Sequence, residues 1–437
     1  MSILRVDQLS PTDNSKTINV EDILYTDDGT ISSDVVEINF PSGVTLTEDM
    51  AEDVKITRYI LDSDNGDCSL ALNRIFTEYA NAERLSVRFP TGNFNLITNA
   101  VYSGTAQISL LGNGATTISL QSDSSSPNIS ITSTRRIIIK DLNVEVAESS
   151  SEDLKIAIYL NCTGQDASHT IHNVRAEANI LTEDKAVIMF DLVNVSLGAF
   201  SDVYIRYFGD YRNAPGSNNL AWRMSATSKV STDSMYRNCS VIGCEVPWII
   251  NPPVGGTNGA YLEGVTWIGC TVVDCQEGPY ISGDAANVYR SPMYRWIGGH
   301  VSAYRRCFYA YWVSQVYISD AHFYLTYTST SSPFGNYPVW LEQVFEADLH
   351  NLSLHMFDQT STDSHGVHVG PGCDLTNVTS ITCYTPVASY AVVSYPASRR
   401  TRAGNCCLIY SGAAPSSAVS LGNTGDLDMG NNTVYAA

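Results

Sequence analysis

The chain has 437 residues, of which 44% are hydrophobic and 16% charged, which excludes a disordered acidic tail and fits two or three average domains or one long repetitive one. Asp and Glu number 45 against 25 Lys and Arg, a formal charge of −20, and a surface this acidic repels nucleic-acid phosphates and anionic lipid. No apolar run approaches the roughly 18 residues that cross a bilayer, so neither a nucleic-acid nor a membrane partner is expected.

The N-terminus, MSILRVDQLS, lacks the charged-then-apolar profile of a secretory signal, and synthesis in a cytoplasm is expected. Eleven Cys, an odd number in a large chain, argue against a disulfide framework. In DCSLALNRIFTEYANA, near 67–82, Leu72, Ile75, Phe76 and Tyr79 recur at helical spacing, with Asp67 or Ser69 placed to cap the helix. Beyond it the composition, with 25 Tyr and abundant Ser, Thr, Asn, Gly and Val, is one of short strands and turns.

An internal repeat organises those strands. An Asp, Asn or Gly is followed by an apolar residue or Cys, any residue, and another apolar one. The copies start at Asp141, Asn173, Asp202, Asn238, Gly269, Gly298, Asp320, Asn351, Asn377 (a weaker copy) and Asn405. Successive starts differ by 32, 29, 36, 31, 29, 22, 31, 26 and 28 residues, a drifting solenoid period. Asn and Asp suit a tight turn before each strand, and the apolar positions would stack from turn to turn as one core. This predicts an all-β parallel β-helix. Cys239 and Cys244 precede Cys270 and Cys275 by 31 residues each, which is the rung period, so stacked core thiols are the better reading than a four-thiolate zinc site. Neither a metal nor a cofactor is expected. The Asn-x-Ser/Thr triplets at Asn238 and Asn351 fall on the same repeat and read as turn grammar, not glycan acceptors.

The stretch from GDCSLALNRIFTEYAN to RFPTGNFNL, and ISLLGNGATTISL with NISITSTRRIIIKDLNV after it, resemble the capping helix and first rungs of pectate-lyase-like right-handed β-helix proteins. MSILRVDQLSPTDNSKTINVEDIL resembles a short virion-attachment segment of phage tailspikes or tail fibres. The resemblance implies a homotrimer located in the virion tail and assembled in the host cytoplasm. Residues 1–61 would attach it to tail or adaptor proteins, residues 62–412 would form the β-helix, and residues 413–437 would form a C-terminal tail or small strand element. It further implies recognition, and cleavage, of host surface polysaccharide.

For chemistry, no metalloprotease, phosphate-loop or nucleophile-elbow motif is present. Cleaving a glycan by hydrolysis needs two carboxylates, and the matched rungs supply Glu245 and Glu277, with Asp274 as substitute for either. Glu263 and Asp284 flank the same rungs, and Asp202, Asp210 and Asp233 are carboxylates towards the other end. Residues 289–312 interleave Arg290, Arg295, Arg305 and Arg306 with Tyr294, Trp296, Tyr304, Tyr309 and Trp312, types that stack on sugar rings and grip carboxylates. With Trp248, Tyr280 and His300 they make the expected sugar surface, although alternation along strands turns about half of them inward. A rival centre, a polysaccharide lyase, would use His300 and Tyr304 beside these Arg residues. His365 and His368 read as a turn and one strand face. A non-enzymatic receptor-binding fibre is the third reading.

Overall fold

The structure is a computed structural model describing residues 54–122, 126–147, 154–164, 168–179, 186–208, 219–227, 231–251, 262–283, 290–326, 337–357, 365–385, 390–411, 417–423 and 425–436. Residues 1–53, most of the expected attachment segment, lie outside them, as do Asp210 and Asp284.

The strands stack in parallel register as a solenoid of about 11 turns with three sheets. The first sheet runs through Arg84–Arg88, Gln107–Leu111, Met235–Arg237, Thr266–Ile268, Tyr294–Ile297 and Gln315–Ser319. The second includes Ser240–Ile242, Thr271–Glu277, the start of His300–Tyr311, and His322–Leu325. The third includes Leu220–Ser225, Val246–Asn251, Tyr280–Ser282, the end of His300–Tyr311, and Tyr337–Glu342. Helix α1 (Cys68–Glu78) packs over the first turns. Asp67 caps it, accepting from the Ser69 amide at 3.0 Å, and Leu72, Ile75 and Phe76 turn into the core.

The repeat marks the corner between the first and second sheets. Asp141, Asn173, Asp202, Asn238, Gly269, Asp320, Asn351 and Asn405 all adopt φ between 51° and 60°, the left-handed conformation that Asn, Asp and Gly tolerate best. Where an Asn follows an Asp in this column the side chains also bond between turns, as Asn173 donates to Asp141 at 2.7 Å and Asn351 to Asp320 at 2.6 Å. The weaker copy was misplaced. Asn377 lies within the strand Thr376–Thr385, and the left-handed residue of that turn is Ser380, at φ 56°.

Inside, Trp222, Trp248, Trp267 and Trp296 are fully buried. Tyr236, Trp267 and Trp296 follow one another at ring spacings of 6.0 Å. The sugar-facing roles expected of Trp248 and Trp296 are therefore corrected: both are core residues, on the inward phase of their strands. The four paired cysteines are core residues too, with Cys244 Sγ 3.4 Å from Cys275 Sγ. Strand pieces between 419 and 436 pair onto the preceding turn, so the solenoid runs on through the region read as a tail or small strand element.

Candidate functional site

At most levels a long stretch separates the second sheet from the third, as between Phe208 and Leu220, Leu325 and Tyr337, or Met356 and Val367. Three consecutive turns differ. Val246 follows Ile242 closely, Tyr280 follows Glu277 closely, and His300–Tyr311 rounds the corner as one strand. These turns carry Glu245, Glu277, Arg305 and Arg306.

The Glu277 amide donates to the Glu245 carbonyl at 2.9 Å, which stacks the two residues on neighbouring turns. Glu277 is 6% exposed, and Arg306 forks onto it at 2.8 and 2.7 Å. The guanidinium is in turn enclosed by rings, 4.6 Å from the centroid of Tyr309, 5.2 Å from Trp340 and 5.8 Å from Tyr280. Arg306 is therefore fully engaged, and it fixes Glu277 in place.

Glu245 differs. It is half-buried, and its Oε2 has no hydrogen-bond partner among the described residues. Burial pushes its carboxyl above the ordinary range, the Arg305 charge opposes that rise, and Glu277 reinforces it. The corner thus pairs a carboxyl biased towards its protonated form with a carboxylate in an ion pair, the division of roles that acid–base cleavage needs.

Of the expected sugar-contacting residues, Tyr280, Tyr309 and Arg305 join this corner, with the rings of Tyr280 and Tyr309 4.7 Å apart. Asp274 is exposed, at φ 52°, and accepts from the Tyr304 hydroxyl at 3.2 Å. Arg295 lies over Tyr317 on the first sheet, and Trp312 lies under Arg290 at the corner between the third and first sheets. His300 faces outward on the second sheet, its ring edge-on to Tyr324 at 4.9 Å. The rival centre is divided, since Tyr304 binds Asp274 and the Arg305 and Arg306 charges serve Glu245 and Glu277.

Trp340 was missed as a site residue, and Arg306 was expected to grip sugar and not Glu277, yet the rung period signals both placements. Arg306 lies 29 residues after Glu277, and Trp340 lies 31 after Tyr309, and each pair is in register. A second carboxylate pair was missed as well. Glu145 and Glu177 are register partners on the second sheet, in a groove of about 440 Å³ with Ser119, Asn179 and Phe208. There Arg175 donates twice to one oxygen of Glu177, at 2.9 and 2.6 Å.

No protein-family model matches the chain, and no curated protein does. Among solved structures it is similar to the A-module of the mannuronan C-5 epimerase AlgE6 of Azotobacter vinelandii, at a TM-score of 0.54 and 10% identity over 88% of this chain and 99% of that one. The chain folds as a parallel β-helix. Also similar are a mutant tailspike protein of E. coli bacteriophage HK620 in complex with a pentasaccharide (TM-score 0.49, 10% identity, 92% and 86% of the chains) and tailspike protein 3 of bacteriophage CBA120 (0.47, 13%, 90% and 66%). At these identities the likeness is one of fold.

Proposed function

We propose that this chain is a tailspike-type phage tail protein that binds host surface polysaccharide and hydrolyses it at the corner of Glu245 and Glu277. The observation that carries the proposal is a half-buried carboxyl, whose Oε2 has no hydrogen-bond partner among the described residues, beside an Arg-forked carboxylate and next to the rings of Tyr280, Tyr309 and Trp340. Tyr280 and Trp340 offer ring area on which a sugar can stack. Glu245 gives its proton to the glycosidic oxygen as the bond from that oxygen to the anomeric carbon breaks. Water attacks the carbon, and Glu277 takes up the water's proton. Arg306 acts through Glu277 and is a positioning residue. The phage-tail part rests on the resemblance of residues 1–61, which would attach a homotrimer to the tail.

The test is size-exclusion chromatography of the host's surface polysaccharide after incubation, with absorbance of unsaturated sugar followed in parallel. Shortening without new absorbance supports hydrolysis. Shortening with absorbance contradicts the mechanism, because elimination leaves an unsaturated sugar. Binding without shortening makes the chain a recognition protein. Loss of cleavage in Glu177→Gln with full activity in Glu245→Gln would move the chemistry to the groove on the second sheet.

A further inference from the structure

On the outer face of the second sheet, the last turn of the Glu245 corner and the turn after it carry a groove of about 460 Å³ lined by His300, Ser302, His322, Tyr324 and Thr326. His300 and His322 are register partners on adjacent strands, so their backbones lie about 4.8 Å apart. The next turn adds His355, stacked on Tyr324 at 4.6 Å and on Tyr384 at 4.4 Å. Three imidazoles thus share one surface, two of them in contact with the same tyrosine ring.

The groups facing them can be followed strand by strand. Thr271 precedes His300 in its column, and Ser353 and Thr382 follow His322. The parallel column reads Ser302, Tyr324, His355, Tyr384. Ser353 Oγ lies 2.9 Å from His355 Nε2. Neither column holds an Asp, Glu, Lys or Arg from Thr271 to Tyr384 among the described residues. The nearest carboxylates along the chain are Asp320, two positions before His322 and bonded to Asn351, and Asp274, three positions after Thr271 and bonded to Tyr304. On a chain of net charge −20, this is a carboxylate-free strip whose charge is set by histidine.

We propose that this groove is a proton-gated site for the acidic sugars of a polysaccharide, binding their carboxylates when its imidazoles are protonated and releasing them when they are neutral. Serine, threonine and tyrosine hydroxyls supply the remaining sugar hydrogen bonds, and imidazolium supplies charge-assisted ones. Burial and the charge of His322 hold His300 and His355 below the ordinary histidine value, so the free groove resists charging. A bound carboxylate reverses that and drives proton uptake. Affinity therefore rises as pH falls through the histidine range, by about tenfold for each pH unit per proton taken up. The site is independent of cleavage at Glu245.

The experiment is calorimetric binding of tetragalacturonate to the full chain at pH 7.5 and pH 5, with maltotetraose and inorganic phosphate as comparison probes, repeated with Glu245→Gln. Tetragalacturonate binding at least tenfold tighter at pH 5, in both proteins, is expected. His322→Gln changes an exposed side chain, so it should leave thermal unfolding unchanged while altering that pH dependence, since one imidazole is lost and His300 and His355 are freed of its charge. Equal affinity at both pH values, or an unchanged pH dependence in His322→Gln, overturns the proposal. Maltotetraose binding as tightly as tetragalacturonate at pH 5 would overturn the role of charge. Phosphate binding as tightly would overturn the role of the sugar.

Discussion

Glu245 and Glu277 have the same side chain and differ in what surrounds it. Arg305 lowers the Glu245 carboxyl against the rise caused by burial, so removing that charge lets the carboxyl hold its proton to higher pH. As general acid, Glu245 makes activity fall on the alkaline side, and Arg305→Ala should move that limb to higher pH in a pH–rate profile. An unmoved limb would assign it to another group. Glu277→Gln cannot accept both arms of Arg306. Because both partners are largely buried, the stranded guanidinium should cost on the order of 3 kcal/mol in denaturant unfolding. His368, 5% exposed, is held at about 3 by burial and by His365, well below an unfolded histidine. The unfolded chain therefore takes up this proton as pH falls below about 6.5 while the folded chain does not, so stability is lost in the window from 6.5 to about 3. The loss between pH 7 and pH 4.5 from this group is about 2–3 kcal/mol. His368→Phe should remove that part of the acid sensitivity, as read from unfolding curves at the two pH values.

The corner between the first and second sheets shows why the fold was legible and the site was less so. A left-handed residue is needed once per turn, few residue types tolerate it, and so the repeat is written in Asn, Asp and Gly. Asn238→Val should destabilise the chain by about 1–2 kcal/mol, since a β-branched side chain clashes at φ 51°, whereas Asn238→Gly should be nearly neutral. Equal unfolding midpoints for the two variants would show that this conformation does not govern the turn. The second-to-third corner has no such marker. Residues there depart from two-residue alternation: the register slips between Val272 and Cys275 and again before Glu277. Counting alternate residues along a strand therefore fails at the place where the carboxylates sit. The same limit misassigned Trp248, which points inward while its neighbour Ile249 packs in the outer apolar cluster with Tyr280. The rung period survived those slips, and it could have paired Glu277 with Arg306.

Over the whole molecule, each turn contacts its neighbours in the stack, so the aromatic core couples local packing to the rod's stability. Trp267→Ala, in the middle of the stacked rings, should cost about 3–5 kcal/mol and lower the thermal midpoint of unfolding. The rod also sets the logic of function. Stacking neighbouring turns brings Glu245, Glu277 and Arg306 together from positions up to 61 residues apart in the chain. The central claim is that this corner cuts a polysaccharide with Glu245 as its acid. The most direct measurement compares the parent chain with Glu245→Gln on the host's surface polysaccharide, recording chain shortening and binding together. The variant should bind as the parent does and shorten the glycan about 10²–10⁴-fold more slowly. A variant that cleaves at the parent rate would contradict the account.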